Sequence, residues 1–214
     1  MHDQDISQVT IATFDSLADR YAEKYFHLDM YDRYLERFAS RIEKPGASVL
    51  DAACGPGNVS AYLAKHRPDL KLLGIDLAEG MVRQARLRVP SAEFQVVDCR
   101  RMDELGQVFD AAAFAFGLSY LTDGDAKRFF TALNTRLADS GILYLSTMTG
   151  KPAWSGFETS ASGDRVYLEY RTVDDVLAMV ARAGYRVEFW EVIPSPANAP
   201  KATQDLILIA QQGI

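Results

Sequence analysis

The chain has 214 residues, 48% of them hydrophobic, and a formal net charge of −6. That is enough apolar material for one full core with a small appendage, and the negative field opposes nucleic acid and other polyanionic partners. Cys54 and Cys99 are too few for a disulfide framework and lack metal-ligand spacing, so no metal is expected. No basic-then-apolar leader opens the sequence, and no run approaches the roughly 20 apolar residues of a membrane span; a soluble, cytoplasmic, reducing setting is the expectation.

In chain order, Val9, Ile11, Phe14, Leu17, Ala18, Tyr21 and Tyr25 recur at spacings of two to four and predict an amphipathic helix over 9–26. Tyr31, Tyr34, Leu35, Phe38 and Ile42 predict a second over 30–42, closed by Pro45-Gly46. Strands and helices then alternate: strand 48–53, helix 58–65, strand 71–76, helix 78–88 and strand 93–97, which is a βαβαβ half. A strand over 109–116, a helix over 125–137 ended by Ser140-Gly141, and a strand over 142–147 continue it. Residues 148–166, rich in Gly, Ser and Thr around Trp154 and Phe157, suggest a mobile cover. Thr172 is placed to cap a helix that stops at Gly184. Alternating residues 186–193, a proline-rich turn (Pro194, Pro196, Pro200) and the apolar run 205–210 suggest a closing antiparallel hairpin. The expected organisation is a helical cap over 1–45 and an α/β domain over 46–214, with the cover at about 148–170.

The chemistry concentrates at the first strand. Val49 to Ala61 reads as an apolar strand ending in Asp51, a turn with Gly55 and Gly57, then a helix start. Both glycines let backbone approach a ligand without a Cβ in the way. A carboxylate at the strand tip repels pyrophosphate and attracts a cation. Pro56 removes a donor between the glycines, and Ser60 stands where a dinucleotide fingerprint has a small residue at the helix start. Asp51, Asp76 and Asp98 end three successive strands, which in a parallel sheet share the ligand-binding edge. Asp76 falls 19 residues after Gly57, matching the roughly 20 of an acid that holds ribose hydroxyls; Asp98 is placed to accept from an exocyclic base amine. Arg83, Arg86, Arg88, Arg100 and Arg101 read as a solvated helix face and loop.

Leu50-Asp51-Ala52-Ala53-Cys54-Gly55-Pro56-Gly57, Gly74-Ile75-Asp76-Leu77-Ala78-Glu79-Gly80-Met81, Val97-Asp98-Cys99 and Phe109-Asp110 together resemble the four motifs of the class I S-adenosylmethionine-dependent methyltransferases, over about residues 12–211. The resemblance implies a Rossmann-like doubly wound seven-stranded sheet with the last strand antiparallel, plus N-terminal helices, and S-adenosyl-L-methionine as cofactor. It implies the methionine end over Asp51, Ala53 and Gly55, with Phe114 near its ammonium, the ribose on Asp76, and the adenine between Leu77 and Met81 with Asp98 and the Cys99 backbone at its edge. Tyr21 and Tyr120 would lie near the transferred methyl. Ala53 departs from the family's glycine and is expected to be tolerated if its φ is ordinary.

Gly117-Leu118-Ser119-Tyr120 stands where some relatives carry a histidine base, which leaves His27 and Tyr120 as candidate catalytic residues. Motifs for base amines, cytosine carbon and metal-dependent catechols are missing, favouring a small-molecule acceptor. An aromatic wall of Tyr21, Tyr25, Phe26, Tyr120, Trp154, Phe157, Tyr167 and Tyr170 would line its pocket, although aromatics at helical spacing also serve as core. A nicotinamide-dependent oxidoreductase on the same sheet, or a module that binds the cofactor without turnover, are the alternatives.

Overall fold

A computed structural model of the chain describes residues 3–26, 29–160, 162–196 and 203–213. His2, His27 and Pro200 lie outside the described residues. The helices are α1 (Asp3–Tyr25), α2 (Asp32–Arg41), α3 (Asn58–His66), α4 (Glu79–Arg88), α5 (Asp123–Asn134) and α6 (Val173–Arg182). The strands are β1 (Ser48–Ala52), β2 (Lys71–Asp76), β3 (Glu93–Val96), β4 (Phe109–Ala115), β5 (Leu137–Thr149), β6 (Gly156–Thr159), β7 (Arg165–Leu168), β8 (Tyr185–Pro194) and β9 (Gln204–Gln212).

Seven strands form one sheet in the order β3-β2-β1-β4-β5-β9-β8. The pairs from β3 to β5 are parallel, and β9 runs antiparallel between β5 and β8. The near-continuous apolar run of β9 follows from burial on both faces. Leu206, Leu208 and Ala210 join the core under α5 and α6, while Ile207 and Ile209 join the core under α2 and α3. The same two-residue alternation splits Leu50 from Val49, Leu73 from Leu72 and Leu143 from Tyr144. Strand order reverses between β1 and β4, so the ligand edge of such a sheet lies beyond their carboxyl ends.

Local chemistry sets the boundaries. Thr172 caps α6 in a reciprocal box: its hydroxyl accepts from the Asp175 N–H, and the Asp175 carboxylate accepts from the Thr172 N–H, both at 3.1 Å. Thr122 does the same service for α5, accepting from Asp125 N–H at 3.2 Å, so that helix starts at Asp123, two residues ahead of expectation. It also ends sooner, at Asn134. Ser140-Gly141 is not a helix stop: it lies within β5 as an irregularity, with Ser140 at φ 61°, where pairing jumps from Phe109–Leu137 to Ala111–Ile142.

Residues 148–166 are the stretch from which a cover is expected. They hold a short 3-10 turn at Pro152–Trp154 and then the hairpin β6–β7, whose facing residues Phe157 and Tyr167 pack edge to face at 5.7 Å. Buried Arg171 anchors the segment after it, donating to the Leu118 and Leu121 carbonyls and to Asp123.

The helix α1 lies across the ligand edge rather than in the core beneath it. Gly80, in the first turn of α4, is what permits this, since a Cβ there would come 2.7 Å from the Asp15 carbonyl oxygen. Asp15 accepts from the Gly80 N–H at 2.5 Å, placing a carboxylate at the α4 N-terminus, and Gln84 donates to Asp19. On its other side α1 grips β7: Tyr167 N–H donates to the Thr10 hydroxyl at 3.0 Å and Thr13 donates to the Arg165 carbonyl at 2.6 Å. No helix of the described residues is long and apolar enough to cross a membrane.

Candidate functional site

A cleft opens beyond the carboxyl ends of β1, β2 and β4. Gly55, Asp76, Leu77, Met81, Asp98, Cys99, Tyr21, Tyr120 and Ala53 all line it. Phe14, Phe116 and Arg100 line it too and were not singled out for it by the sequence.

The turn after β1 is the floor. Cys54 N–H donates to the Ile75 carbonyl at 2.9 Å, extending the β1–β2 ladder past the strand end, and Gly55 N–H donates to Asp76 Oδ2 at 2.9 Å. Asp76 Oδ1 accepts from Ala78 N–H, also at 2.9 Å, at the start of α4. A Cβ on Gly55, at φ 53°, would meet nothing within 4 Å: the turn leaves a cradle of open space above it. Gly57 differs. At φ 91° its absent Cβ would sit 3.3 Å from the Ala85 and Val89 side chains, so this glycine serves packing of α3 against α4 and does not line the cleft.

Asp51 sits beneath the floor, not in the cleft wall. Its Oδ2 accepts from Ser60 N–H at 3.1 Å and Ser60 Oγ at 2.6 Å, while its buried Oδ1 has no partner. Burial pushes the Asp51 carboxyl up to about 6 against the pull of both Ser60 bonds, and the nearby Asp76 charge adds to the rise. Asp76 is raised by burial as well, despite its backbone donors. Two adjacent carboxylates short of positive charge make this end of the cleft a cation-seeking environment. The thiols of Cys54 and Cys99 are both raised by burial, then by neighbouring carboxylates, and are unreactive there.

Asp98 reaches the cleft already engaged. Its Oδ1 accepts from Arg100 N–H and Nε, and its Oδ2 from Arg100 Nη2 at 2.7 Å. Arg100 Nη1 also donates to the buried Asp125 at 2.8 Å and to Ser7 of α1 at 3.1 Å. Arg100 is therefore no part of a solvated basic face; it ties the β3 loop to α5 and α1.

Phe114 lies in the core. It shares a face of β4 with Ala112, is fully buried and stacks on Phe129 at 3.8 Å. Phe116 lines the cleft in its place, because its φ of 60° breaks the strand alternation and turns its ring outward against Tyr31. Positive φ at a bulky residue costs roughly 1–2 kcal/mol, and here that strain sits in the cleft wall. Ala53 holds a second such conformation at φ 52°, so the condition of an ordinary φ fails.

Of the expected aromatic wall, Tyr21 and Tyr120 reach the cleft, and Phe14 bridges them edge to face, with ring centroids 5.6 and 4.9 Å away. Tyr25 packs behind Tyr21 at 4.7 Å. Trp154, Tyr167 and Tyr170 lie outside the cleft lining: Trp154 packs on Tyr170, whose hydroxyl donates to Glu158, and the Tyr167 hydroxyl donates to Glu169. Burial raises the phenols of Tyr21, to about 12, and Tyr120.

The doubly wound sheet with its antiparallel β9, and a cleft built on a glycine turn and strand-end acids at the topological switch point, define a Rossmann-like nucleotide-type binding fold. Residues 49–141 match the family described as "Methyltransferase domain". The chain is 26% identical over 180 residues to trans-aconitate 2-methyltransferase of Variovorax paradoxus, covering 77% of this chain and 68% of that protein. It is 29% identical over 203 residues to demethylmenaquinone methyltransferase of Thermotoga maritima, covering 81% and 88%. In fold it is similar to the Burkholderia thailandensis 1,6-didemethyltoxoflavin-N1-methyltransferase, solved with its namesake and S-adenosylhomocysteine, with a TM-score of 0.77 at 16% identity over 100% of this chain and 92% of that one. Residues 49–141 thus carry a methyltransferase domain, and the whole chain is similar in fold to methyltransferases solved with S-adenosylhomocysteine.

Replacing Ala53 by glycine removes left-handed strain of roughly 1–2 kcal/mol and adds some backbone freedom to the unfolded chain. Urea denaturation of Ala53→Gly is expected to show a net gain of about 0.5–1 kcal/mol.

Proposed function

We propose that the protein transfers a methyl group from S-adenosylmethionine to a small-molecule acceptor, acting chiefly by proximity and orientation. One observation carries this reading: the orphaned, buried Oδ1 of Asp51 beneath an open glycine cradle, beside a second carboxylate raised by burial. A cationic ligand end relieves that arrangement, whereas a pyrophosphate worsens it. The chemistry of the donor set thus fits the family's cofactor and argues against the nicotinamide alternative.

In this reading Ala53 and Gly55 face the methionine end, and Asp51 acts on its ammonium through the field under the turn. Asp76, both oxygens already fixed by backbone donors, keeps lone pairs for two ribose hydroxyls. Leu77 and Met81 flank the adenine, with Asp98, held by Arg100, and Cys99 at its edge. Gly57 acts by packing and Phe114 by supporting the wall from behind. When bound, the cofactor supplies an electrophilic methyl on a sulfonium. The work left to the chain is to hold the acceptor in line and keep water out, and α1 with Phe14 and Tyr21 is placed to do so. Tyr120, its phenol held protonated, orients an acceptor and does not serve as a base at neutral pH.

The acceptor's small size is supported by the cleft's aromatic lining of Phe14, Tyr21, Phe116 and Tyr120 and by the net charge of −6, unsuited to nucleic acid. The acceptors named for the relatives, trans-aconitate and demethylmenaquinone, are small molecules. A helical cap formed by residues 1–45, a cover that includes 148–170, and a cytoplasmic setting for the buried free thiol of Cys54 complete the reading.

Titration calorimetry with S-adenosylmethionine, S-adenosylhomocysteine and NADH tests it. The sulfonium pair should bind and NADH should not, and Asp76→Ala should weaken S-adenosylhomocysteine roughly 10- to 100-fold, the loss of charge-assisted bonds of about 1.5–3 kcal/mol. Failure of both adenosyl ligands to bind sinks the proposal.

The raised Asp51 adds a pH signature. Without ligand, the native state holds its proton to about pH 6 while the unfolded chain releases it near 4, so stability falls as pH rises across that interval. A cationic ligand favours the ionised form, so S-adenosylhomocysteine affinity should rise between pH 5 and 7 by up to about tenfold. Asp51→Asn should flatten both profiles; an unchanged profile in the variant would remove Asp51 from the site.

A further inference from the structure

Every nitrogen of the Arg100 guanidinium is engaged at the β3 end of the cleft. Nε is shared between the two Asp98 oxygens, at 2.9 Å from Oδ1 and 3.1 Å from Oδ2. Nη2 donates to Asp98 Oδ2 at 2.7 Å, and the Arg100 backbone N–H donates to Oδ1 at 2.8 Å. Nη1 turns the other way, to Asp125 Oδ1 at 2.8 Å and Ser7 Oγ at 3.1 Å. Asp125 is itself fixed on α5, accepting from the Thr122 hydroxyl at 3.0 Å and from Arg128 at 2.5 Å. Arg100 and Asp98 both line the cleft with side chains 18% and 19% exposed, so water competes little for their contacts.

An ionised carboxylate offers about four lone-pair positions. The backbone N–H, Nε and Nη2 of Arg100 bring three protons to Asp98, which leaves about one position for a ligand, and that position takes a donor. A ligand carbonyl brought there would set one acceptor against another. The planar fork also removes the carboxylate's freedom to turn, because rotation would break several of these bonds together. A lysine would match the charge without the geometry, since its ammonium is a single point where the guanidinium reaches Asp98, Asp125 and Ser7 from three nitrogens.

We infer that Arg100 is a positioning residue for base recognition: it holds Asp98 with one acceptor position open, so that the cleft selects a base carrying an exocyclic amine. The inference rests on the methyl-transfer reading above, in which Asp98 stands at the adenine edge. Arg100 touches no reacting atom in this role. Anchored on α5 and α1, it sets the Asp98 carboxylate before the ligand arrives, so recognition carries little ordering cost.

S-adenosylhomocysteine and its deamino analogue, in which hydrogen replaces the exocyclic amine, differ in that one donor. Both are titrated by calorimetry into the full-length wild type and into Arg100→Lys. The wild type should bind S-adenosylhomocysteine roughly 10- to 100-fold more tightly than the analogue, the range expected of a hydrogen bond to a charged group. Arg100→Lys should cut that preference at least about threefold, by weakening S-adenosylhomocysteine while the analogue keeps close to its wild-type affinity. A purely structural role would weaken both ligands together and leave the preference unchanged. That result overturns the assignment of Arg100, and so does a wild type without the preference. Arg100→Gln, which also lacks the fork, takes the place of the lysine variant if that one does not fold, and the same two results decide. Failure of the wild type to bind S-adenosylhomocysteine at all overturns the underlying methyl-transfer reading instead.

Discussion

The bond from Gly55 N–H to the Asp76 carboxylate holds the site together. It joins the turn after β1 to the end of β2, and the other Asp76 oxygen joins the same carboxylate to the start of α4. One side chain therefore fixes the glycine turn, the strand end and the helix that flanks the cleft. The parallel register sets this up: Asp51 pairs with Gly74 and Ala52 with Ile75, which leaves Asp76 one step beyond, level with the turn. Gly74 contributes by having no side chain, since a Cβ there would lie 2.3 Å from the Phe94 ring. A carboxylate held by backbone donors keeps its position whether or not a ligand is present, which is preorganisation in a literal sense.

Closure of the cleft depends on a second constraint, the seating of α1. Its contacts with α4 and β7 are polar bonds between residues distant in sequence and one glycine-permitted approach at Gly80, with the small apolar cluster of Ala18, Ala78 and Met81 between. Ile11, Phe14 and Tyr21 pack against that cluster from α1, so polar and apolar contacts together seat the helix. Arg100 extends the connection by touching both Asp98 at the cleft and Ser7 on α1. The helix that covers the ligand is thereby linked to the acid at the far end of the site.

Legibility in the sequence followed burial. Strands β1, β2, β4 and β9 were readable because runs buried on both faces are nearly all apolar, and the strand-end acids because they interrupt those runs. Elements governed by a single backbone conformation were not. Nothing in Phe114-Ala115-Phe116 announces that φ turns positive at Phe116, so the family resemblance put Phe114 at the ligand, whereas its ring stacks on Phe129 and Phe116 lines the cleft. Ser140-Gly141 carries a helix-stop pattern that the structure uses as a strand irregularity. The hairpin β6–β7 hid in a Gly, Ser and Thr rich stretch, since its pairing is stabilised by contact with α1 and by one aromatic pair. Arg100 was read as surface charge because its partner Asp125 is 25 residues away and its burial depends on α1. Gly57 looked like ligand-contacting backbone, yet its space is taken by α4.

Charge and shape agree on a division of labour within the cleft. Carboxylates raised by burial occupy the β1 and β2 ends, an internally compensated Arg–Asp network the β3 end, and neutral aromatics the roof. The central claim is that this arrangement is an S-adenosylmethionine site organised by Asp76, and a crystal structure with S-adenosylhomocysteine bound examines it directly. The account predicts ribose hydroxyls on the Asp76 carboxylate, the amino-acid end over Gly55 and Ala53, and adenine against Met81. A ligand bound elsewhere, or one whose ribose turns away from Asp76, would contradict it.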